Sequence, residues 1–126
     1  MTLRRSRLRR TSNSERRKLE LKADNLWALH ILNHFGNRCA ICGSHGCQAA
    51  HIAPRRFKHL RHHPYNGIAL CPDCHADFDG KDKQILLDWI SLRHPERFRV
   101  YEMRHEVRGP VSLLDLQATV SFLSTL

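Results

Sequence analysis

Apolar residues recur at helical spacing near both ends of the chain and lose that spacing in the middle. The first such pattern ends before Gly36, and Ser12 followed by Glu15 has the form of a capping box at its start. Two more helices are predicted at 84–92 and after Ser112. Each of the three helices is expected to turn one apolar face toward the protein core. The residues of these faces, in chain order, are Leu19, Ala23, Leu26, Trp27, His30 and Ile31 in the first helix; Ile85, Leu86, Trp89 and Leu92 in the second; and Leu113, Leu114, Leu116, Val120 and Leu123 in the third.

The middle of the chain, residues 37–75, is rich in His, Cys, Gly and Pro and has no long periodicity. This pattern is typical of short strands and loops that are organised by ligands. Two short apolar runs, 48–52 and 67–70, are expected to pair as a hairpin. Pro72 suits the first turn of a short helix that ends at Gly80. Residues 97–107 alternate roughly and predict a strand or an extended arm. A hairpin core with helices at both ends makes the expected fold class α+β.

The length and composition predict one modest domain. The chain has 126 residues, of which 41% are hydrophobic, so a metal or covalent staple would help to stabilise its core. It contains no run of about 18 apolar residues, and its basic start lacks the apolar stretch of a secretory signal. We expect a cytoplasmic protein with no membrane partner; a phage or prophage origin and the oligomeric state are left open.

The charge is strongly basic and unevenly distributed. The formal net charge is +9, and residues 1–18 account for +7 of it, with eight basic groups and one acidic group. Such a balance indicates a polyanionic partner. We interpret residues 1–12 as a disordered basic arm, and a solvated tail or an import signal is the alternative. The arm's candidate DNA-binding residues are Arg4, Arg5, Arg7, Arg9 and Arg10.

The five cysteines favour a metal site over a disulfide framework, because their number is odd and two pairs have C-x-x-C spacing. Cys39 with Cys42 and Cys71 with Cys74 can bind one tetrahedral Zn²⁺ through four sulfurs. Such a closed site leaves no open position for a substrate, so we expect the zinc to be structural. Cys47 has no partner at this spacing and is expected to be a buried thiol or a loop residue.

His51, Asn66 and His75 lie between and within these cysteine pairs. The sequence A-A-H-I-A-P at 49–54, N-G-I-A-L-C-P-D-C-H at 66–75 and F-D at 78–79 resembles the HNH nucleases of the ββα-metal (His-Me finger) class. The resemblance covers residues 39–79 and extends more loosely to HNH endonucleases of phage recombination and restriction systems. It implies a zinc and nuclease core at 37–80. The helical patterns predict a packing helix at 13–36 before this core and a helical extension at 81–126 after it.

The resemblance also implies a metal-dependent DNA endonuclease that leaves 5′-phosphate and 3′-hydroxyl ends. His51 would be the general base, since an imidazole titrates near neutrality, and Asn66 would hold loops or orient that base. His75 would bind one catalytic Mg²⁺, Mn²⁺ or Ni²⁺ ion. Many members have Asp or His where this chain has Ala50. Asp79, one helical turn after His75, could replace that ligand or could only cap the turn before Gly80.

Basic residues next to His51 complete the candidate site and leave two interpretations open. Arg55, Arg56, Lys58 and Arg61 either bind DNA phosphates or form a solvated face. The alternative function is a zinc-ribbon protein that binds nucleic acid without catalysis. A toxin or recombination-partner module is a second alternative.

Overall fold

The structure, a computed structural model, describes residues 2–80 and 82–126, with their side chains from residue 13 onward. The first helix, α1, has the bounds Thr2–His34. The prediction that this helix begins at Ser12 is wrong, because α1 already includes the backbone of residues 2–12. The side chains of the predicted basic arm at 1–12, with its five arginines, fall outside the described ones, and so do their proposed contacts with DNA. They therefore stay predictions.

A short antiparallel hairpin follows α1 and is itself followed by a helix. Strand β1 (Gln48–His51) pairs with β2 (Gly67–Leu70), and α2 (Pro72–Asp79) comes directly after β2. The chain then continues through α3 (Lys83–Arg93), α4 (Pro95–Glu102), a 3-10 turn at Met103–His105 and α5 (Leu113–Leu123). This arrangement confirms the predicted α+β fold with a ββα motif and flanking helices.

The hairpin is buried between helices. All four residues of β2 are buried, with α2 and α3 packed on one side of the hairpin and α1 in contact with it from the other. One core cluster includes Ile68, Leu70, Phe78 and Ile90. A second cluster joins α1 to α5. Helix α1 is therefore part of the scaffold that holds the hairpin.

Local sequence explains how α2 and α5 begin. Pro72 occupies the first turn of α2, where its missing N–H is not needed, and the Cys71 sulfur accepts a 3.5 Å hydrogen bond from the Cys74 N–H. Helix α5 begins with a capping box, in which Ser112 and Asp115 each accept a hydrogen bond from the other's backbone N–H. Both predicted starts are confirmed.

The prediction of a strand or extended arm at 97–107 is wrong, because the chain is helical from Pro95 to His105. Pro95 and Glu96 suit a first helical turn, and the buried residues Arg97 and Val100 are three positions apart, which is a helical spacing.

The predicted buried faces of two helices are partly wrong. Ile85 and Leu92 of α3 are 69% and 81% exposed, whereas Leu87 and Ile90 are buried. In α5, Leu114 is 76% exposed. Leucines and isoleucines occur on more than one face of these helices, so the neighbouring elements decide which face is buried.

None of the described helices has both the length and the apolar composition that crossing a bilayer requires.

Candidate active site and zinc site

Four cysteine sulfurs meet at the end of the hairpin. The Sγ atoms of Cys39, Cys42, Cys71 and Cys74 all lie within 4.8 Å of one another, and those of Cys42 and Cys71 are 3.6 Å apart. A tetrahedral zinc ion with Zn–S bonds of about 2.3 Å requires sulfurs roughly 3.8 Å apart. The four residues therefore fit a structural zinc ion, as predicted.

Backbone hydrogen bonds hold the first cysteine turn in place. The Cys39 N–H donates to the Ser44 carbonyl at 2.9 Å, and the Ala40 N–H donates to Ala69 of β2 at 2.9 Å. Hydrogen bonding with the Ser44 hydroxyl is the main cause that lowers the pKa of Cys42 to about 6, which favours the thiolate that binds a metal. Cys47 is half-buried outside this cluster, and its thiol donates to the Ser44 carbonyl.

His51 ends β1 with its imidazole held on two sides. Its Nε2 lies 2.9 Å from the Arg61 carbonyl, and its ring stacks on Trp27 with the centroids 4.0 Å apart and the planes at 10°. A carbonyl can only accept, so Nε2 carries the hydrogen and Nδ1 keeps its lone pair. Burial lowers the pKa of His51 to about 4. The ring is therefore neutral at pH 7, and Nδ1 can accept a proton.

Asn66 is fully buried, and its amide is bonded to the loop that joins the two strands. Its Oδ1 accepts from the Ala53 N–H at 2.7 Å, and its Nδ2 donates to the carbonyls of Ala53 and Leu60 at 3.1 and 2.9 Å. All three bonds go to loop backbone. Asn66 therefore acts on the geometry of the loop that follows His51.

His75 and Asp79 lie one turn apart on α2, as the sequence predicts. His75 Nε2 is 3.5 Å from an Asp79 carboxylate oxygen, and His75 Nδ1 is 3.0 Å from Gln48 Oε1. With that amide oxygen as acceptor, Nδ1 carries the hydrogen and Nε2 presents a lone pair next to the carboxylate. A metal-binding histidine is commonly oriented through its other nitrogen in this way.

A cleft of about 230 Å³ brings together four of the predicted site residues, His51, His75, Asp79 and Arg55, and Asn66 does not line it. Its walls are formed by Ala49, Ala50, His51, Pro54, Arg55, His75, Phe78, Asp79 and Lys83. The Ala50 methyl faces this cleft without offering a ligand atom. Among the residues with described side chains, the four cysteines are the one group of three or more potential metal ligands. An ion at His75 and Asp79 would need further ligands from water or substrate.

The four basic residues near His51 do not form one phosphate clamp. Arg55 lines the cleft, whereas the exposed Arg56 lies over the Phe57 ring at 5.0 Å. Lys58 is exposed and borders other grooves. The Arg61 guanidinium is bound by Asp24, with contacts of 3.0 and 2.7 Å. A larger cleft of about 710 Å³ beside α5 contains none of His51, His75 and Asp79.

Comparison with known proteins agrees with this geometry. Residues 39–82 match the HNH endonuclease family. This HNH segment includes both cysteine pairs, the hairpin and α2, and it confirms the resemblance inferred from residues 39–79. No curated protein and no solved structure matches the chain significantly.

Sequence reasoning missed four residues around this site. Trp27 was expected only to pack, Asp24 was not singled out, and Gln48 and Lys83 were assigned no role. Their contacts with the site depend on how α1, β1 and α3 pack together. One sequence signal could have drawn attention to Asp24: it is a carboxylate next to the mostly apolar face of α1, where a charged group needs a partner.

Proposed function

We propose that this chain is a metal-dependent DNA endonuclease in which His51 is the general base and His75 with Asp79 binds one catalytic divalent ion. One observation carries the proposal: a neutral imidazole with a free Nδ1 shares a cleft with a histidine–carboxylate pair, inside a segment that matches HNH endonucleases. Phosphodiester hydrolysis needs both a base and positive charge beside the phosphate.

Two residues of the cleft, His51 and Arg55, can each perform a step of the reaction. Nδ1 of His51 accepts the proton of the attacking water, while Nε2–H stays bonded to the Arg61 carbonyl. The Arg55 guanidinium borders the cleft and can bind a phosphate oxygen of the substrate. A divalent ion, when bound, supplies Lewis-acid stabilisation of the charge on the phosphate and the leaving oxygen.

The catalytic ion is proposed to differ from the structural zinc. Four thiolates suit Zn²⁺, whereas one imidazole nitrogen and one carboxylate oxygen suit Mg²⁺, Mn²⁺ or Ni²⁺. His75 follows Cys74 directly, so the start of α2 serves both sites. Zinc would hold the frame, and the second ion would complete the reaction site.

A zinc protein that binds nucleic acid without cutting it is the alternative, and Ala50 is the observation that favours it. This methyl lines the cleft where many HNH nucleases have a further metal ligand. Weak binding of the catalytic ion would leave a protein that binds DNA and does not hydrolyse it.

Incubation of the zinc-loaded protein with supercoiled plasmid distinguishes these functions. The protein is incubated with Mg²⁺, Mn²⁺ or Ni²⁺, and with no ion beyond its zinc. We expect nicked or linear products in the presence of at least one added ion and none with zinc alone. Retarded, uncut plasmid with every ion would contradict the nuclease proposal and support the binding protein.

A further inference from the structure

Helix α1 places an indole directly against the candidate general base. Trp27 is 3% exposed, and its ring lies parallel to the His51 imidazole at a centroid distance of 4.0 Å. Its Nε1–H donates to the His63 carbonyl at 2.9 Å. The indole is thus tied to the loop between the strands at one end and covers the imidazole with its face.

Gly67 makes room for this indole. It pairs with His51 across the hairpin, and a Cβ atom at position 67 would lie only 2.6 Å from Cζ2 of Trp27. The indole therefore occupies the space that a side chain at position 67 would fill. Held by Gly67, His63 and His51, the ring of Trp27 has little freedom to tilt, and the imidazole stacked on it shares that restriction.

Asp24, one turn before Trp27, acts on the other contact of the base. Its carboxylate accepts from Arg61 Nε at 3.0 Å, from Arg61 Nη2 at 2.7 Å and from His62 Nε2 at 2.6 Å. Although burial opposes ionisation, these hydrogen bonds hold the pKa of Asp24 below its usual value. Arg61 is the residue whose carbonyl accepts from His51. The ion pair therefore fixes the acceptor that selects the tautomer of the base.

We propose that α1, which lies outside the HNH segment, completes the active site: Trp27 and Asp24 are positioning residues that fix the ring plane and the Nε2–H tautomer of His51. The catalytic consequence rests on the proposed function, whereas the positioning of the imidazole does not. Trp27 limits the ring to one plane, and Asp24 holds the Arg61 carbonyl. Together they keep Nδ1 directed away from the hydrogen-bonded side.

The test compares Trp27→Leu and Trp27→Phe with the wild type in the zinc-loaded full chain. Nitrogen NMR of His51 reports the tautomer and the titration of the ring, and single-turnover cleavage of a DNA duplex reports the rate of the chemical step. Val120→Ala is the matched control, because Val120 belongs to the same buried cluster as Trp27 and lies on α5. It should lower stability and leave both readouts of His51 unchanged.

We expect one neutral tautomer in the wild type and a mixture of two in Trp27→Leu. Water reaching the ring should also move the His51 titration from about pH 4 toward its ordinary 6.5. Arg55, Asp24 and His62 are the charged or titratable side chains that influence this titration, and they are retained in the variant. The cleavage rate should fall roughly 10- to 100-fold with DNA affinity retained. Trp27→Phe, which keeps an aromatic face, should retain most of the rate.

Failure of this proposal is distinguishable from failure of the proposed function. If the wild type does not cut DNA, the nuclease proposal fails, and the NMR comparison still decides whether α1 positions His51. If Trp27→Leu does not fold, Asp24→Asn replaces it and should also give a mixture of tautomers. The proposal would be overturned if the variant that folds keeps the wild-type tautomer and titration of His51 and the wild-type cleavage rate. Equal changes in Val120→Ala would overturn it as well.

Discussion

Gly67→Ala tests the packing of α1 on the hairpin with the addition of a single methyl group. The new Cβ would lie 2.6 Å from Cζ2 of Trp27 and 2.7 Å from two side-chain atoms of Ile31, where ordinary contacts are 3.4–4 Å. Both neighbours are buried, at 3% and 0% exposure, so neither side chain can swing into solvent. Overpacking of this kind typically lowers the free energy of unfolding by about 1–3 kcal/mol.

Urea denaturation followed by circular dichroism measures this loss, and a thermal melt should show a shift of about 4 °C for each kcal/mol. Gly80→Ala is the comparison, because the closest atom to its added Cβ would be the Ala76 carbonyl oxygen, at 3.3 Å, just below the ordinary range; we expect a clearly smaller loss than in Gly67→Ala. Adding Ile31→Ala to Gly67→Ala relieves two of the three close contacts, so the double variant should lose less stability than the two single losses added together. A Gly67→Ala protein as stable as the wild type would refute the tight fit of Trp27 against the hairpin.

Three further predictions concern zinc, the basic arm and the catalytic ion. Cys71→Ser should leave a largely unfolded chain by circular dichroism, because the apparent free energy of structural zinc binding, about 10–16 kcal/mol, is as large as the whole stability of a typical domain. A folded, zinc-free variant would contradict this prediction. Deleting residues 2–10 removes five arginines and should reduce the slope of log affinity against log salt concentration by up to about 4–5, for any DNA sequence. An unchanged slope would show that the arm does not bind phosphates. Asp79→Ala should raise the metal concentration needed for half-maximal cleavage and Ala50→Asp should lower it; cleavage by Asp79→Ala at the wild-type metal concentration would show that Asp79 is not a ligand.

Features that depend on residues close in sequence were predictable. Two C-x-x-C turns specify the zinc site because each turn brings its sulfurs together locally. Pro72 and Gly80 mark the start and end of α2 for similarly local reasons, and the four-residue spacing of His75 and Asp79 places them on one helical face.

Features that depend on the packing of distant elements were not predictable. The alternation at 97–107 suggested a strand, but Pro95 at the first turn and the burial of Arg97 specify a helix. Arg97 donates to the carbonyls of Pro64 and Gly67, which no local pattern could reveal.

The same limit applies to the candidate site. Trp27 follows an apolar helical pattern that is shared by ordinary core residues, so its stacking on His51 became visible only in three dimensions. Arg61 is a similar case. Its position among basic residues suggested a contact with a DNA phosphate, but its guanidinium is bound by Asp24, which lies on a helix distant in sequence.

The most direct test of the account is the single-turnover cleavage rate of His51→Ala on a DNA duplex, with the divalent ion that supports the wild type. His45→Ala is the control, since His45 is an exposed histidine outside the cleft. Loss of the general base should reduce the rate roughly 10²- to 10⁴-fold, while zinc content and DNA affinity remain those of the wild type. A His51→Ala protein that cuts at the wild-type rate would contradict the account, because the base would then lie elsewhere.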